Sequence, residues 1–162
     1  MKLYIMRHGQ AQLTASSDKL RDLTAQGQQE SVIMAKWLAS QQGEFDITFA
    51  SPYIRAKHTY DLVITSFKAP EHHYVLNELT PESSPEMCGD ALLAYCAQHK
   101  AASVLVVSHL PLVALLVSDL CKGDVVPSFS TSSIACLEID LDTWRGNLLW
   151  HKTFNDVLMQ VS

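Results

Sequence analysis

The apolar positions of this chain come in short runs, and the strongest of them each stop at a polar or charged residue. Lys2-Leu3-Tyr4-Ile5-Met6 is too short for a helix and has the apolar, partly β-branched and aromatic makeup of a buried strand. It ends at Arg7-His8-Gly9. Asp46-Ile47-Thr48-Phe49-Ala50 predicts a second strand, ending at Ser51. Ser51 reads as an N-cap, with Pro52 starting a helix to about Phe67 that carries Arg55 in its first turn and Ala56, Tyr60, Val63 and Ile64 on one side. Ala102-Ser103-Val104-Leu105-Val106-Val107 is valine-rich, the pattern of a strand buried on both faces. It ends at Ser108-His109, and Leu110-Pro111 opens a helix that runs from Pro111 to Leu120 and stops at Gly123.

The remaining segments alternate in the same way. Thr24 to about Gln41 is helical, with Val32, Ile33, Ala35, Trp37 and Leu38 at helical spacing and Gly43 as the stop. Tyr74-Val75-Leu76 predicts a short strand. Residues 80–88 form a polar loop with Pro81, Ser83, Ser84 and Pro85, followed by a helix from about Glu86 to Gln98. Ile134–Ile139 and Leu148–His151 predict a hairpin turning at Arg145-Gly146-Asn147. No internal repeat interrupts the pattern. The expectation is one α/β domain over residues 1–162, with a mostly parallel sheet and an antiparallel addition near the C-terminus.

In open α/β sheets, ligands bind at the carboxyl ends of the strands. Parallel strands would therefore bring Arg7, His8, Arg55 and His109 to one edge. An arginine offers a planar fork of donors that fits phosphate oxygens, and a neutral imidazole beside it is a nucleophile toward phosphorus. Gly9 allows a tight turn with close backbone approach. Arg7 and Arg55 would clamp the oxygens, His109 would donate a further bond, and His8 would attack as the neutral ring, its pKa lowered by the arginines. Phosphoryl transfer needs mainly positioning and charge stabilisation, so these cations take the part that Mg²⁺ plays elsewhere; neither a metal nor another cofactor is expected.

Composition narrows the partners. At 162 residues, 48% hydrophobic and 18% charged, the chain can bury a real core. A net charge of −5 argues against a nucleic-acid surface but allows a local anion pocket. The apolar runs are too short for a membrane span, and no cleavage site follows a long apolar core. Cys88, Cys96, Cys121 and Cys136 form no C-x-x-C pair and read as reduced, buried thiols of a cytoplasmic protein. His58, His72, His73, His99 and His151 lack ligand spacing, which leaves no metal site among them.

Met-Arg-His-Gly at 6–9, Leu23-Thr24-Ala25-Gln26-Gly27, Ser51-Pro52-Tyr53-Ile54-Arg55-Ala56-Lys57-His58-Thr59 and Val107-Ser108-His109-Leu110-Pro111 resemble the histidine phosphatase superfamily, in the family's order. Leu76-Asn77-Glu78-Leu79-Thr80-Pro81 and the Ser108–Val113 stretch resemble its bacterial SixA-type protein phosphohistidine phosphatases. The resemblance implies a three-layer phosphoglycerate-mutase-like sandwich with helices on both faces. It implies catalysis by His8, Arg7, Arg55 and His109 through a phospho-His8 intermediate. The implied partner is a phosphohistidine-bearing protein, either a histidine phosphotransfer domain or a phosphotransfer carrier, attacked by a monomer. Two alternatives stand beside it: a small-molecule phosphomonoesterase of the same family, and an idle phosphate-binding module. Intact His8 between arginines speaks against the idle module.

Around this core, Gly9, Arg21, Ser51, Glu78 and Ser108 are candidate substrate-binding residues. Arg21 would rim the pocket or lie on a solvated face; Ser51 serves as a cap or a phosphate ligand, and Ser108 as a brace for His109. Asn77-Glu78 resembles the Asn-Glu of the mutase and acid-phosphatase branches, where the glutamate protonates the departing oxygen, though a different sequence follows it here. Only 53 residues separate Arg55 from His109, leaving little for a cap over the pocket. An open pocket suits a phosphorylated side chain on a folded partner better than an enclosed metabolite.

Overall fold

The computed structural model describes residues 1–123 and 126–161. In chain order its regular elements are β1 (Lys2–Arg7), α1 (Ala25–Gln41), β2 (Ile47–Ala50), α2 (Ile54–Ile64), β3 (His72–Val75), α3 (Pro85–His99), β4 (Ser103–Ser108), α4 (Leu112–Leu120), β5 (Ile134–Asp140), β6 (Arg145–Lys152) and α5 (Phe154–Val161). Short 3₁₀ turns lie at Asp18–Leu20 and Asn77–Leu79. The sheet order is β3-β2-β4-β1-β5-β6. The first four of these strands run parallel, and β5 and β6 are added antiparallel.

Period-two alternation divides the core into two layers. Leu3, Ile5, Ile47, Phe49, Val104 and Val106 point to one face, where α3 and α4 cover them with Leu92, Leu93, Leu112 and Leu116. Tyr4, Met6, Ala50, Leu105 and Val107 point to the other, beneath Met34 and Leu38 of α1, Ala56 and Tyr60 of α2, and Val157 of α5. The result is the α/β sandwich with helices on both faces. Among the described residues no helix is long and apolar enough to cross a membrane. All four cysteines are buried, and burial pushes the Cys88 and Cys96 thiols up to about 12.

Several local expectations are corrected. The second helix begins at Ile54, not Pro52, and ends at Ile64. Ser51 is therefore no N-cap; its Oγ accepts the Tyr53 N–H at 3.2 Å in the turn that precedes the helix. The third strand is His72–Val75, starting two residues before Tyr74 because it follows the register of β2 from Ile47. The buried stripe of α1 is Gly27, Ser31, Met34, Ala35 and Leu38, while Ile33 faces outward. Small residues lead that stripe because the helix start lies against the Gln10 backbone, where a Cβ on Gly27 would collide.

The hairpin turns at residues 141–144, not at Arg145-Gly146-Asn147. Asp140 Oδ1 accepts the Asp142 N–H at 2.9 Å and Trp144 takes a left-handed φ of 54°, which closes the turn early. Gly146 sits inside β6 opposite Ile139, whose side chain would meet any Cβ there. Helix α5 had no counterpart among the sequence expectations. Thr153 starts it, exchanging bonds with Asp156 through its N–H to Oδ2 and the Asp156 N–H to its Oγ1.

Candidate active site

The sheet order explains the site. β4 lies between β1 and β2, so the residues after their carboxyl ends are neighbours. Arg7 pairs with Ser108 in register, His8 N–H donates to Ser108 O at 2.9 Å, and Ser51 N–H donates to Val107 O at 3.1 Å. His8 and His109 follow directly, with ring centroids 5.0 Å apart. Arg55, in the first turn of α2, points back over the same edge. These three are almost fully buried: His8 is 7% exposed, Arg55 5% and His109 1%.

The hydrogen bonds of His8 fix its tautomer. Its Nδ1 lies 2.7 Å from Gly9 O, and a carbonyl can only accept, so Nδ1 carries the proton. The lone pair is left on Nε2, which receives the Arg55 Nε–H at 3.3 Å. Burial, followed by the charges of Arg55, Arg7 and Arg21, pushes the His8 pKa down to about 4 against the Gly9 bond, which raises it. The direction agrees with the sequence expectation, but desolvation leads and the arginines follow. His8 is thus a neutral ring with a defined basic nitrogen.

His109 is held differently. Its Nε2 lies 2.7 Å from Ser51 Oγ, and Tyr53 packs edge-on against its ring at 5.2 Å. Burial first, then the charge of Arg55, holds it far below the ordinary histidine range. With Ser51 Oγ–H as the donor to Nε2, the ring's own proton lies on Nδ1. That buried Nδ1 has no partner among the described residues, and neither does Arg7 Nε. Buried donors are costly to leave unpaired, by about 1–3 kcal/mol each, and a bound anion would satisfy both. Arg7 Nη1 donates to Phe129 O at 2.9 Å.

The other sequence candidates fall into two groups. Gly9 is enclosed: its N–H donates to Thr59 Oγ1 at 3.0 Å, and a Cβ would sit 2.6 Å from Ser31 Oγ. Arg21 rims the site, donating to Gln12 O and to Asp18 Oδ1 at 2.6 and 3.0 Å. Ser51, not Ser108, braces His109. Ser108 Oγ instead donates to Leu79 O at 2.7 Å, tying the 77–79 turn to the strand end. Glu78 lines a shallow cleft with Asn77, Ser83, Ser84 and Met87. Its charge acts on Cys88 and is not among those that shift His8 or His109.

Four parts of the site escaped the sequence reading. Asp18 binds Arg55 twice, through its carbonyl at 2.7 Å and its Oδ2 at 3.1 Å. Thr59 lies one turn after Arg55 on the same buried stripe, a spacing that could have revealed it. Tyr53 lies under the Arg55 guanidinium at 5.2 Å. Residues 129–133 wrap the end of β1: besides the Phe129 carbonyl, Ser133 O accepts from Arg7 N and Ser132 N donates to His8 O. Ser132 holds a left-handed φ of 62° to do so, and its Oγ meets Ser31 Oγ at 3.1 Å. Among the described residues, no group of three His, Cys, Asp or Glu side chains is placed to hold a metal ion.

Comparison with known proteins agrees with this geometry. Residues 3–80 match the histidine phosphatase superfamily (branch 1). The chain is 43% identical over 155 residues to the phosphohistidine phosphatase SixA of Escherichia coli K12, covering 93% of this chain and 92% of that one. It is 34% identical to a SixA homolog of Haemophilus influenzae, covering 91% and 90%. A solved structure of the protein histidine phosphatase SixA complexed with tungstate superposes with a TM-score of 0.91 at 40% identity, covering 97% of this chain and 99% of that one. A buried, neutral histidine flanked by arginines at the joined ends of β1, β2 and β4, on a chain this similar to SixA along nearly its whole length, means that the protein belongs to the histidine phosphatase superfamily.

Proposed function

We propose that the chain is a protein phosphohistidine phosphatase, hydrolysing phosphohistidine on a signalling or phosphotransfer partner through a phospho-His8 intermediate. The observation that carries this reading is the His8 tautomer: Nδ1–H is bound to Gly9 O, and the Nε2 lone pair is presented beside Arg55 Nε. The phosphoryl oxygens lie between Arg7, Arg55 and the Nδ1–H of His109. His8 Nε2 forms a bond to phosphorus as the substrate's P–N bond breaks, and the electron pair leaves on the substrate imidazole. That ring can already carry a proton on its second nitrogen, so it departs more easily than an alkoxide. Water then attacks the phospho-His8, the P–Nε2 bond breaks, and orthophosphate and neutral His8 are restored. The developing charge meets two guanidinium groups, so the reaction runs without a metal or other cofactor.

The SixA relatives support this substrate, and the tungstate in one of them is a tetrahedral oxyanion like phosphate. The residues between Arg55 and His109 are taken up by the rest of α2, β3, the Asn77–Leu79 turn, α3 and β4, which leaves few for a cap over the site. On this reading residues 1–162 act as one domain and as a monomer, on a phosphotransfer domain or carrier in the cytoplasm. Gly9, Ser51 and Arg21 support the phosphate clamp, and Ser108 anchors the 77–79 turn beside it. A small-molecule phosphomonoesterase would instead need an acid at the leaving oxygen, and Glu78 lines a cleft with Asn77, Ser83, Ser84 and Met87 that includes none of Arg7, His8, Arg55 and His109.

The test is side-by-side turnover of a phosphohistidine protein, phosphoserine peptides and p-nitrophenyl phosphate, with acid-free trapping of labelled enzyme. Fast turnover of the phosphohistidine protein and an acid-labile, base-stable label mapping to His8 are expected. Label on a serine, or efficient cleavage of small monoesters with slow phosphohistidine turnover, would overturn the proposal. Chelators should leave the rate unchanged; loss in EDTA restored by a divalent ion contradicts the metal-free mechanism.

A further inference from the structure

An anion from the chain itself already occupies part of the phosphate clamp. Arg55 presents Nε and Nη2 along one edge of its guanidinium; Nε meets the His8 nucleophile, and Nη2 holds Asp18 Oδ2 at 3.1 Å. The second carboxylate oxygen, Oδ1, bonds Arg21 Nη1 at 3.0 Å. Two oxygens of one carboxylate thus bridge two guanidinium groups, as two oxygens of a phosphoryl group would. The hydrogen bond from Arg21, followed by the bond and charge of Arg55, holds the Asp18 carboxyl below its usual range despite slight desolvation, so it is ionised. Asp18 is 57% exposed and Arg55 only 5%: the carboxylate can swing into solvent, whereas the arginine stays.

The segment carrying Asp18 is fastened at both ends. Ala11 and Leu23 form a bridge, Thr24 N–H donates to Gln10 O, and Asp22 pairs with His58 of α2 at 2.6 Å. Arg55 Nη1 also holds the Asp18 carbonyl. Exchange of the carboxylate for another anion is therefore a side-chain rotation, with the main chain in place.

We propose that Asp18 is a built-in competitor for the phosphate clamp, which yields Arg55 to the incoming phosphoryl group and retakes it as orthophosphate leaves. This rests on the reading of Arg55 as the clamp. It adds a specificity device: a free small phosphate has only its own charge with which to displace Asp18, whereas a phosphohistidine on a folded partner also brings the partner's surface contacts. The device weakens product binding and leaves the protein substrate favoured.

The test measures orthophosphate binding by calorimetry, and its inhibition constant against phosphohistidine-protein turnover, for the wild type, Asp18→Asn, Asp18→Ala, Asp22→Asn and Arg55→Ala. Removing the Asp18 charge should tighten orthophosphate at least about tenfold, the size of one charge-assisted contact. Asp22→Asn, which loosens the fastening without touching the clamp, should stay within about twofold. A merely structural role for Asp18 would weaken phosphate binding, so the direction of the change decides. Unchanged or weaker binding in both Asp18 variants, with binding abolished in Arg55→Ala, overturns the competitor and leaves the clamp standing. Wild-type binding in Arg55→Ala overturns both. Asp18→Asn keeps the side-chain shape, and its thermal melt checks that the segment remains folded.

Discussion

Among the described residues, two pairs of histidine rings lie in contact, and they share little beyond the residue type. His8 and His109 meet edge to face at 5.0 Å, at the carboxyl ends of the adjacent central strands β1 and β4. His72 and His99 lie closer, at 4.0 Å, where the first residue of edge strand β3 meets the last residue of α3. Tyr74 Oη shares a hydrogen bond with His99 Nε2 at 3.0 Å, and both of these rings are half-buried. The first pair is buried beside arginines, which suppresses the charged form, and the Gly9 carbonyl fixes the His8 tautomer. The second is an aromatic stack at the amino end of its strand, away from the phosphate edge. Ring proximity alone carries no chemistry; strand polarity, burial and a carbonyl partner supply it.

The most direct way to break this contrast is to remove one ring from each pair. His8→Ala should lower phosphohistidine turnover on the order of 10⁵-fold, since the nucleophile and its intermediate vanish. Near wild-type turnover by that variant would sink the assignment. Next in size is Arg55→Ala, expected to cost at least about 2–4 kcal/mol in kcat/KM because its bonds strengthen toward the transition state. Steady-state kinetics on a phosphohistidine protein reads this directly.

The buried pair also predicts a pH signature. His8, with its pKa lowered to about 4, stays neutral in the fold while the unfolded chain takes up a proton below about 6.5. The unfolded state therefore binds more protons between those values, and stability falls as pH falls through that window. His8 alone accounts for a loss on the order of 2–3 kcal/mol by pH 4. Urea midpoints at pH 7.5 and 4.5 should show a smaller drop for His8→Gln; an equal drop would refute the buried neutral ring.

Smaller effects sharpen the picture. Glu78→Gln should leave phosphohistidine turnover within about tenfold, and should cost more on an alkyl phosphomonoester, whose oxygen needs a proton as it departs. A large loss on phosphohistidine would restore Glu78 to the reaction. The smallest change is expected for His99→Ala: kcat/KM within about twofold and a stability loss of about 0.5–1.5 kcal/mol from the lost ring contacts. A catalytic defect there would erase the distinction between the pairs.

The sequence by itself determined the strands of the parallel half and the residues at their ends. A buried strand is an uninterrupted apolar run, and Met6-Arg7-His8, Ala50-Ser51 and Val107-Ser108-His109 mark where each run stops. Arg7, His8, Arg55 and His109 could be named from that. Tertiary structure alone decided that β4 separates β1 from β2, because runs buried on both faces look alike and carry no mark of their neighbours. It also decided the His8 tautomer, set by the Gly9 carbonyl, and the clasp of residues 129–133 on Arg7 and His8, made largely by main-chain groups. Every residue carries those groups, so no side-chain pattern announces them. Asp18 is one exposed carboxylate among many in the sequence, and only the folding of its segment against α2 brings it to Arg55. Local hydrophobicity is written residue by residue, whereas a partner far away along the chain is chosen by packing.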